Sequence, residues 1–191
     1  MIGNDIVDLK LASVQSDWKR KGFLDKLFSK RERRFIFDSS DSSMAVWRLW
    51  SMKESAYKIH VRKTKVRRFN PKQFSCEDIT ETEGIVIRGH HTYKTTTFLN
   101  DDFIHTIATE CDYDQEIFNG MIIKQDQHNL ASILHKKFLK DLAARQFLAL
   151  NDLQILKNEF QAPELFLKGI KLNLSCSLSH HGGHGAYVST I

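Results

Sequence analysis

Residues 47–58, WRLWSMKESAYK, run without a glycine or a proline and carry apolar residues at a helical period. This stretch commits the chain to a helix that must bury one side. At about 100° per residue, Ala45, Leu49, Met52, Ala56 and Ile59 fall on one stripe. Trp47, Trp50, Glu54 and Lys58 fall on the opposite side. A carboxylate and an ammonium one turn apart are an ordinary exposed pair, worth about 0.2–0.5 kcal/mol. Two tryptophans beside them would shelter both charges from water, and sheltered charges act strongly on a third group. The helix alone leaves both readings open, and the choice depends on what else the chain brings near it.

With 191 residues, 41% of them hydrophobic, and two prolines, the chain can bury one sizeable core or two small ones. The start MIGNDIVDLK carries charge where a signal peptide needs an apolar core, and no apolar run approaches the length of a membrane span. A soluble, cytoplasmic protein with no membrane association is expected. Cys76, Cys111 and Cys176 lie far apart without CxxC spacing, which suggests buried thiols rather than a disulfide framework or a zinc site. The net charge of +5 gathers in the first third, at Lys19-Arg20-Lys21, Lys30-Arg31, Arg33-Arg34 and residues 62–68. Nucleic acid, an acidic protein, a polyphosphate, or no dedicated partner at all would each suit such clusters. No single-strand platform or nucleic-acid motif accompanies them.

The hydrophobic pattern predicts an α+β chain of two similar halves. A strand over 2–9 is followed by helices near 11–22 and 30–38 and by the helix of residues 47–58. Strand-like stretches follow around 84–87, 91–99 and 103–109, the last two joined by the turn Asn100-Asp101-Asp102. Residues 116–127 form a connection with a short strand. A helix from Leu130 then places Ile133 or Leu134, with Phe138 and Leu142, on one face. Strand-like LQILKN, ELFLKG and KLNLSCSLS lead to a glycine-rich turn and a last short strand at Ala186-Tyr187-Val188. The expected halves are residues 1–118 and residues 128–191.

Two further segments carry groups suited to chemistry. In Ser175 to Tyr187, SCSLSHHGGHGAY, Ser179 and His180 end a strand, while Gly182, Gly183 and Gly185 let backbone approach a ligand such as phosphate. The same glycines can simply close a hairpin. His180, His181 and His184 offer zinc-binding imidazoles, although adjacent strand residues point to opposite faces. Asp5, between Gly3-Asn4 and Ile6-Val7, reads equally as a turn residue. With Glu54 it would supply two hard oxygen ligands, the usual protein share of a magnesium site.

Together, GNDIVDL, LWSMKESAYK and SLSHHG resemble the three signature regions of the 4′-phosphopantetheinyl transferases, approximately G-x-D-[IV], W-x-x-K-E-[AS]-x-x-K and S-[IL]-S-H. The resemblance implies transfer of the phosphopantetheine arm of coenzyme A to a serine of an apo acyl or peptidyl carrier protein. Adenosine 3′,5′-bisphosphate would be released, as in fatty-acid, polyketide or peptide synthesis. It implies magnesium (Mg2+) held by Asp5 and Glu54, with Glu54 also the base for the attacking serine. Lys58 would be the catalytic and pyrophosphate-binding lysine, and Ser179 and His180 the residues that bind coenzyme A. Lys53, off the Glu54 face, is expected to help hold the nucleotide or the helix. Residues 129–185 are similar to the first unit of the longer, surfactin-synthetase-activating type and residues 1–115 to its second unit. The halves thus stand in swapped order, and a monomeric pseudo-dimer is expected with its site between them. The basic residues of 19–34 would then dock an acidic carrier protein, with no role for nucleic acid.

The chain departs from the pattern in three places. Val7 stands where the longer type has a third acid; a water would fill that coordination site, as the short type suggests, or Asp8 would stand in for the acid. Val61-Arg62-Lys63 replaces G-x-G, and Gln161-Ala162-Pro163 replaces G-K-P, whose lysine Lys136 or Lys137 would have to replace. The alternative that these departures support is a catalytically silent homologue that binds coenzyme A.

Overall fold

Ile2–Asp8 (β1) is buried along its whole length, as a strand covered on both sides must be. In this computed structural model, which describes residues 1–123 and 127–191, β1 pairs antiparallel with Phe103–Glu110 (β5), Ile2 opposite Thr109 and Asp8 opposite Phe103. Ser75–Glu77 (β2), Glu83–Arg88 (β3) and His91–Leu99 (β4) complete an antiparallel sheet in the order β1-β5-β4-β3-β2. Asn100 makes the β4–β5 turn, its side chain accepting from the N–H groups of Asp102 and Phe103.

Between β1 and β2 the chain forms Leu9–Gln15 (α1), Phe23–Leu27 (α2), Lys30–Asp38 (α3) and Ser42–Thr64 (α4). The sequence predicts one helix near 11–22, but the chain leaves helix after Gln15. Asp17 captures the Lys19 N–H with its carboxylate and the Arg20 N–H with its carbonyl, a turn that competes with helix. Helix α3 opens on a capping box of Ser29 and Glu32.

Helix α4 continues for 23 residues from its Asp41 cap, with Arg62 and Lys63 in the last turn, where cations suit the helix dipole. Its expected core stripe is buried, but burial extends around most of the helix and takes in Trp47, expected on the opposite side, as part of the same core. Leu49, Met52, Ala56 and Ile59 pack against Val86, Tyr93, Ile104 and Ala108 of the sheet. Close approach to β1 depends on Gly3, where a Cβ would stand 2.2 Å from the Ser55 carbonyl oxygen.

The remaining elements are Ile117–Ile122 (β6), Leu130–Gln146 (α5), Leu153–Lys157 (β7), Pro163–Leu167 (β8), Ile170–Lys171 (β9), Cys176–His181 (β10) and His184–Thr190 (β11). They build two small antiparallel sheets, β10-β11-β6 and β7-β8-β9. Leu134, Phe138 and Leu142 of α5 share a core with Phe118, Leu153, Leu165 and Tyr187. Among the described residues no helix is long and apolar enough to cross a membrane.

The two regions meet along the edge of β1 that β5 leaves open. The N–H groups of Ile2, Asn4 and Ile6 donate to the hydroxyls of Ser175, Ser177 and Ser179, at 3.3, 3.1 and 3.3 Å. The Asp8 N–H donates to His181 Nδ1 at 2.9 Å. Every rung spans the same 173 residues, so β10 and Ser175 just before it run parallel to β1, one side chain away. The edge is thereby satisfied without a continuous sheet.

Candidate active site

The approach of α4 to β1 sets Lys58 over Asp5. Its ammonium lies 3.1 Å from Asp5 Oδ1 and 2.6 Å from the Asn4 carbonyl oxygen. The Ser179 hydroxyl donates to the same Asp5 oxygen at 3.0 Å, bringing a residue of β10 into the group. Glu54 lies one turn before Lys58. Among the described residues its carboxylate takes part in no hydrogen bond or ion pair. Burial above all, then the nearby Asp5 charge, pushes its pKa up to about 7 despite the opposing pull of Lys58.

Asp5, Glu54, Trp47, Trp50 and His180 line one cavity of about 740 Å³. Arg20, Lys21 and Lys26 contribute positive charge to the same cavity. A second cavity of about 180 Å³ is lined by Tyr57, Lys58, Arg62, Arg67, Phe160 and Gln161. The Asp5–Lys58 pair therefore stands between two cavities, one with a carboxylate pair in its wall and one that is basic and aromatic. A site of this kind can hold a polyanion and, at its carboxylates, a hard cation.

The family model described as the 4′-phosphopantetheinyl transferase superfamily matches residues 1–108, more than half of the 191-residue chain and the part that holds Asp5, Glu54 and Lys58. The chain belongs to this superfamily. Among solved structures, the holo-[acyl-carrier-protein] synthase of Thermotoga maritima is similar with a TM-score of 0.45 and 10% identity, over 89% of this chain and 83% of that one. The Helicobacter pylori synthase in complex with coenzyme A is similar with a TM-score of 0.26 and 15% identity, over 100% of both chains. No curated protein matches the chain in sequence.

Within this phosphopantetheinyl transferase fold, the residues of the third signature segment divide by strand alternation. Ser179 faces β1 and Asp5, whereas His180 is exposed and lines the larger cavity. The glycines of the following turn do not face the cavity. A Cβ on Gly182 would fall 2.1 Å from Asp8 Oδ2, and one on Gly185 would press on Leu134. They close the hairpin onto its neighbours, the second of the two sequence readings.

Asp8, considered in the sequence as a stand-in for the third acid, is engaged elsewhere. It accepts from the N–H groups of Leu11 and Gly183 and faces His184 Nδ1 at 3.0 Å. Burial works to raise its pKa, but these N–H donors and the imidazole hold the carboxyl below its ordinary value. Val7 itself lines the larger cavity. With His181 accepting from β1, His184 on Asp8 and His180 exposed, the three histidines do not converge. Among the described residues no group of three His, Cys, Asp or Glu is placed to hold a metal ion.

Lys53 stands away from both cavities. Its ammonium is fully buried and donates to Glu32 at 2.9 Å, to the Pro71 carbonyl at 3.0 Å and to the Leu27 carbonyl at 3.1 Å, with the Phe28 ring 5.0 Å away. Of its two expected roles, it fills that of holding the helix. The basic residues of 19–34 also divide. Arg31, Arg33 and Arg34 pair with Glu77, Asp25 and Asp38, whereas Arg20, Lys21 and Lys26 line the cavity. Lys137 pairs with Asp141 on α5, and neither it nor Lys136 lines the two cavities. Arg62 and Arg67 supply the positive charge beside Gln161 instead. The sequence marked their cluster as basic but gave no sign of which members would face inward.

Proposed function

We propose that this chain transfers the 4′-phosphopantetheine group of coenzyme A to a serine of an apo acyl or peptidyl carrier protein, releasing adenosine 3′,5′-bisphosphate. The observation that carries this reading is the meeting of Asp5, Glu54 and Lys58 on two elements within the span that matches the superfamily. Asp5 and Glu54 are the proposed magnesium-binding carboxylates. The donor set fits: two carboxylates adjoin, and burial together with the Asp5 charge raises the proton affinity of Glu54, which a bound cation would offset. Magnesium held there would neutralise charge on the pyrophosphate and on the transferred phosphoryl group.

The chain's own groups have distinct parts in this proposal. Lys58 binds the pyrophosphate, where its ammonium stabilises charge that develops on the leaving oxygen. Glu54, with a pKa of about 7, is suited to take the proton of the attacking serine near neutral pH. His180 binds coenzyme A from the cavity wall, and Ser179 contributes by holding Asp5. Arg62 and Arg67 take the place of the G-K-P lysine toward the nucleotide. Residues 1–118 and 128–191 act as the two halves of a monomeric pseudo-dimer, the larger cavity taking Asp5 and Glu54 from one and His180 from the other. Arg20, Lys21 and Lys26 favour an acidic carrier protein, and a cytoplasmic setting accords with such a partner.

The test is intact-mass measurement of a panel of apo carrier proteins after incubation with the purified protein, magnesium and coenzyme A. A gain of one phosphopantetheine on at least one of them is expected. No gain on any of them, with coenzyme A still bound, would leave the silent binding homologue as the better reading.

A further inference from the structure

The two carboxylates of the site are not equivalent. Asp5 Oδ1 already holds a cation, the Lys58 ammonium at 3.1 Å, and accepts from Ser179 at 3.0 Å. Glu54 has no such partner among the described residues. The ammonium also sits 2.6 Å from the Asn4 carbonyl oxygen, so it occupies a small nest of oxygens of the sort a hard metal ion would use. Lys58 reaches this nest from the wall of the 180 Å³ cavity, while Asp5 belongs to the wall of the larger one.

We propose that Lys58 is an internal counter-ion that competes with the divalent cation for Asp5, and that cation binding displaces its ammonium toward the smaller cavity. A lysine suits this part because its compact charge rides on a flexible stem and can leave without disturbing the helix. One positive charge so close to Asp5 opposes the arrival of another. Arg62 and Arg67 surround the place to which the ammonium moves, so an anion there, such as the pyrophosphate of coenzyme A, favours the displaced state. Cation and polyphosphate then assist one another reciprocally. The identity of that polyphosphate rests on the transferase reading; the competition for Asp5 does not.

The experiment uses Mn2+ as the probe, titrated into the metal-free protein and followed by the loss of the free-ion paramagnetic signal. Lys58→Met should bind Mn2+ about tenfold more tightly than the unaltered chain, a change of about 1.4 kcal/mol. An equal or weaker affinity in a folded variant overturns the proposal. A second measurement needs no variant: brief acetylation of the native protein, read by peptide mass spectrometry with exposed Lys94 as the internal reference. Saturating Mn2+ alone should raise labelling of Lys58 several-fold over that of Lys94, and an unchanged or lower ratio overturns the proposal by itself. Both readouts report binding, so an absence of transfer leaves them standing. Active transfer by the unaltered chain, together with an unchanged Mn2+ affinity in Lys58→Met, would remove only the competition.

Discussion

Helix α4 carries two lysine–carboxylate pairs five residues apart, and they behave as opposites. The Lys53 and Glu32 side chains are 0% and 1% exposed, and the lysine ammonium has three oxygen partners. Glu32 in turn accepts from the N–H groups of Ser29 and Cys76. Nothing is left over for a ligand. The Lys58 and Asp5 side chains are 27% and 12% exposed, lie between two cavities, and have an unpaired carboxylate beside them. A buried pair that is fully satisfied fixes a scaffold, whereas a pair that shares its field with a lone acid is held ready for a further charge.

The contrast is broken most directly at Lys53. Lys53→Met should cost about 3–5 kcal/mol of folding stability by leaving Glu32 buried and uncompensated, measured by denaturant unfolding. Lys58→Met should cost only about 1 kcal/mol in the same measurement. Similar losses at both positions would erase the distinction. Glu54→Gln acts on the other side of it: turnover should fall about a thousandfold, roughly 4 kcal/mol, while the dissociation constant of coenzyme A changes much less. Parallel losses in both quantities would make Glu54 a binding residue only.

The unpaired state of Glu54 also has a pH signature. Its carboxyl has a raised pKa of about 7 in the folded protein against an ordinary 4.5. Between those values the folded chain keeps a proton that the unfolded chain has lost. The stability contributed is fully present below about pH 4.5 and is lost as pH rises through 7, up to about 3 kcal/mol in all. In metal-free buffer, the stability of Glu54→Gln relative to the unaltered protein should therefore increase from pH 5 to pH 8. The buried His105, whose pKa falls to about 4 chiefly through burial, titrates in the opposite sense. It is present in both proteins and largely cancels in the difference. A flat difference across this range would mean that Glu54 is solvated and that the Lys53 and Lys58 sites differ little.

The smallest expected effect sharpens the same contrast at the surface. Lys21→Glu with Lys26→Glu should raise the apparent KM for a carrier protein several-fold, about 1 kcal/mol. Arg34→Glu, at a residue already paired with Asp38, should leave it nearly unchanged. The reverse result would move the docking surface to α3.

Helix α4 and its core stripe were legible because a helical period in a stretch without glycine or proline leaves little freedom, and Leu49, Met52, Ala56 and Ile59 are buried; the burial of Trp47 and Lys53 beyond that stripe was not. Four of the five strands of the first sheet were legible as strand-like runs, whereas the three-residue β2 was not, and the separation of Lys53 from Glu54 was legible from helical angle alone. The break after Gln15 was not, because no glycine or proline stands between 16 and 21 and the turn is made by a short side-chain hydrogen bond of Asp17. Asp8 and Gly182 lie far apart in sequence, and only the folded chain sets the turn against the carboxylate. The sorting of Arg20, Lys21 and Lys26 from Arg31, Arg33 and Arg34 depended likewise on partners that tertiary structure supplies. Alternating serines in SCSLSHH carried the least decisive signal, since a hydroxyl serves equally well toward a ligand or toward a strand edge.

Those hydroxyls bear on how such a chain can be put together. A seam made of side chains reaching a backbone edge specifies only a two-residue repeat, with Ser175, Ser177 and Ser179 facing Ile2, Asn4 and Ile6. It makes no demand on which partner is synthesised first or on how the peptide travels from one to the other. The joint is a property of two matched surfaces rather than of a hinge, so the order of the pieces along the gene is free to be rearranged while the rungs are kept.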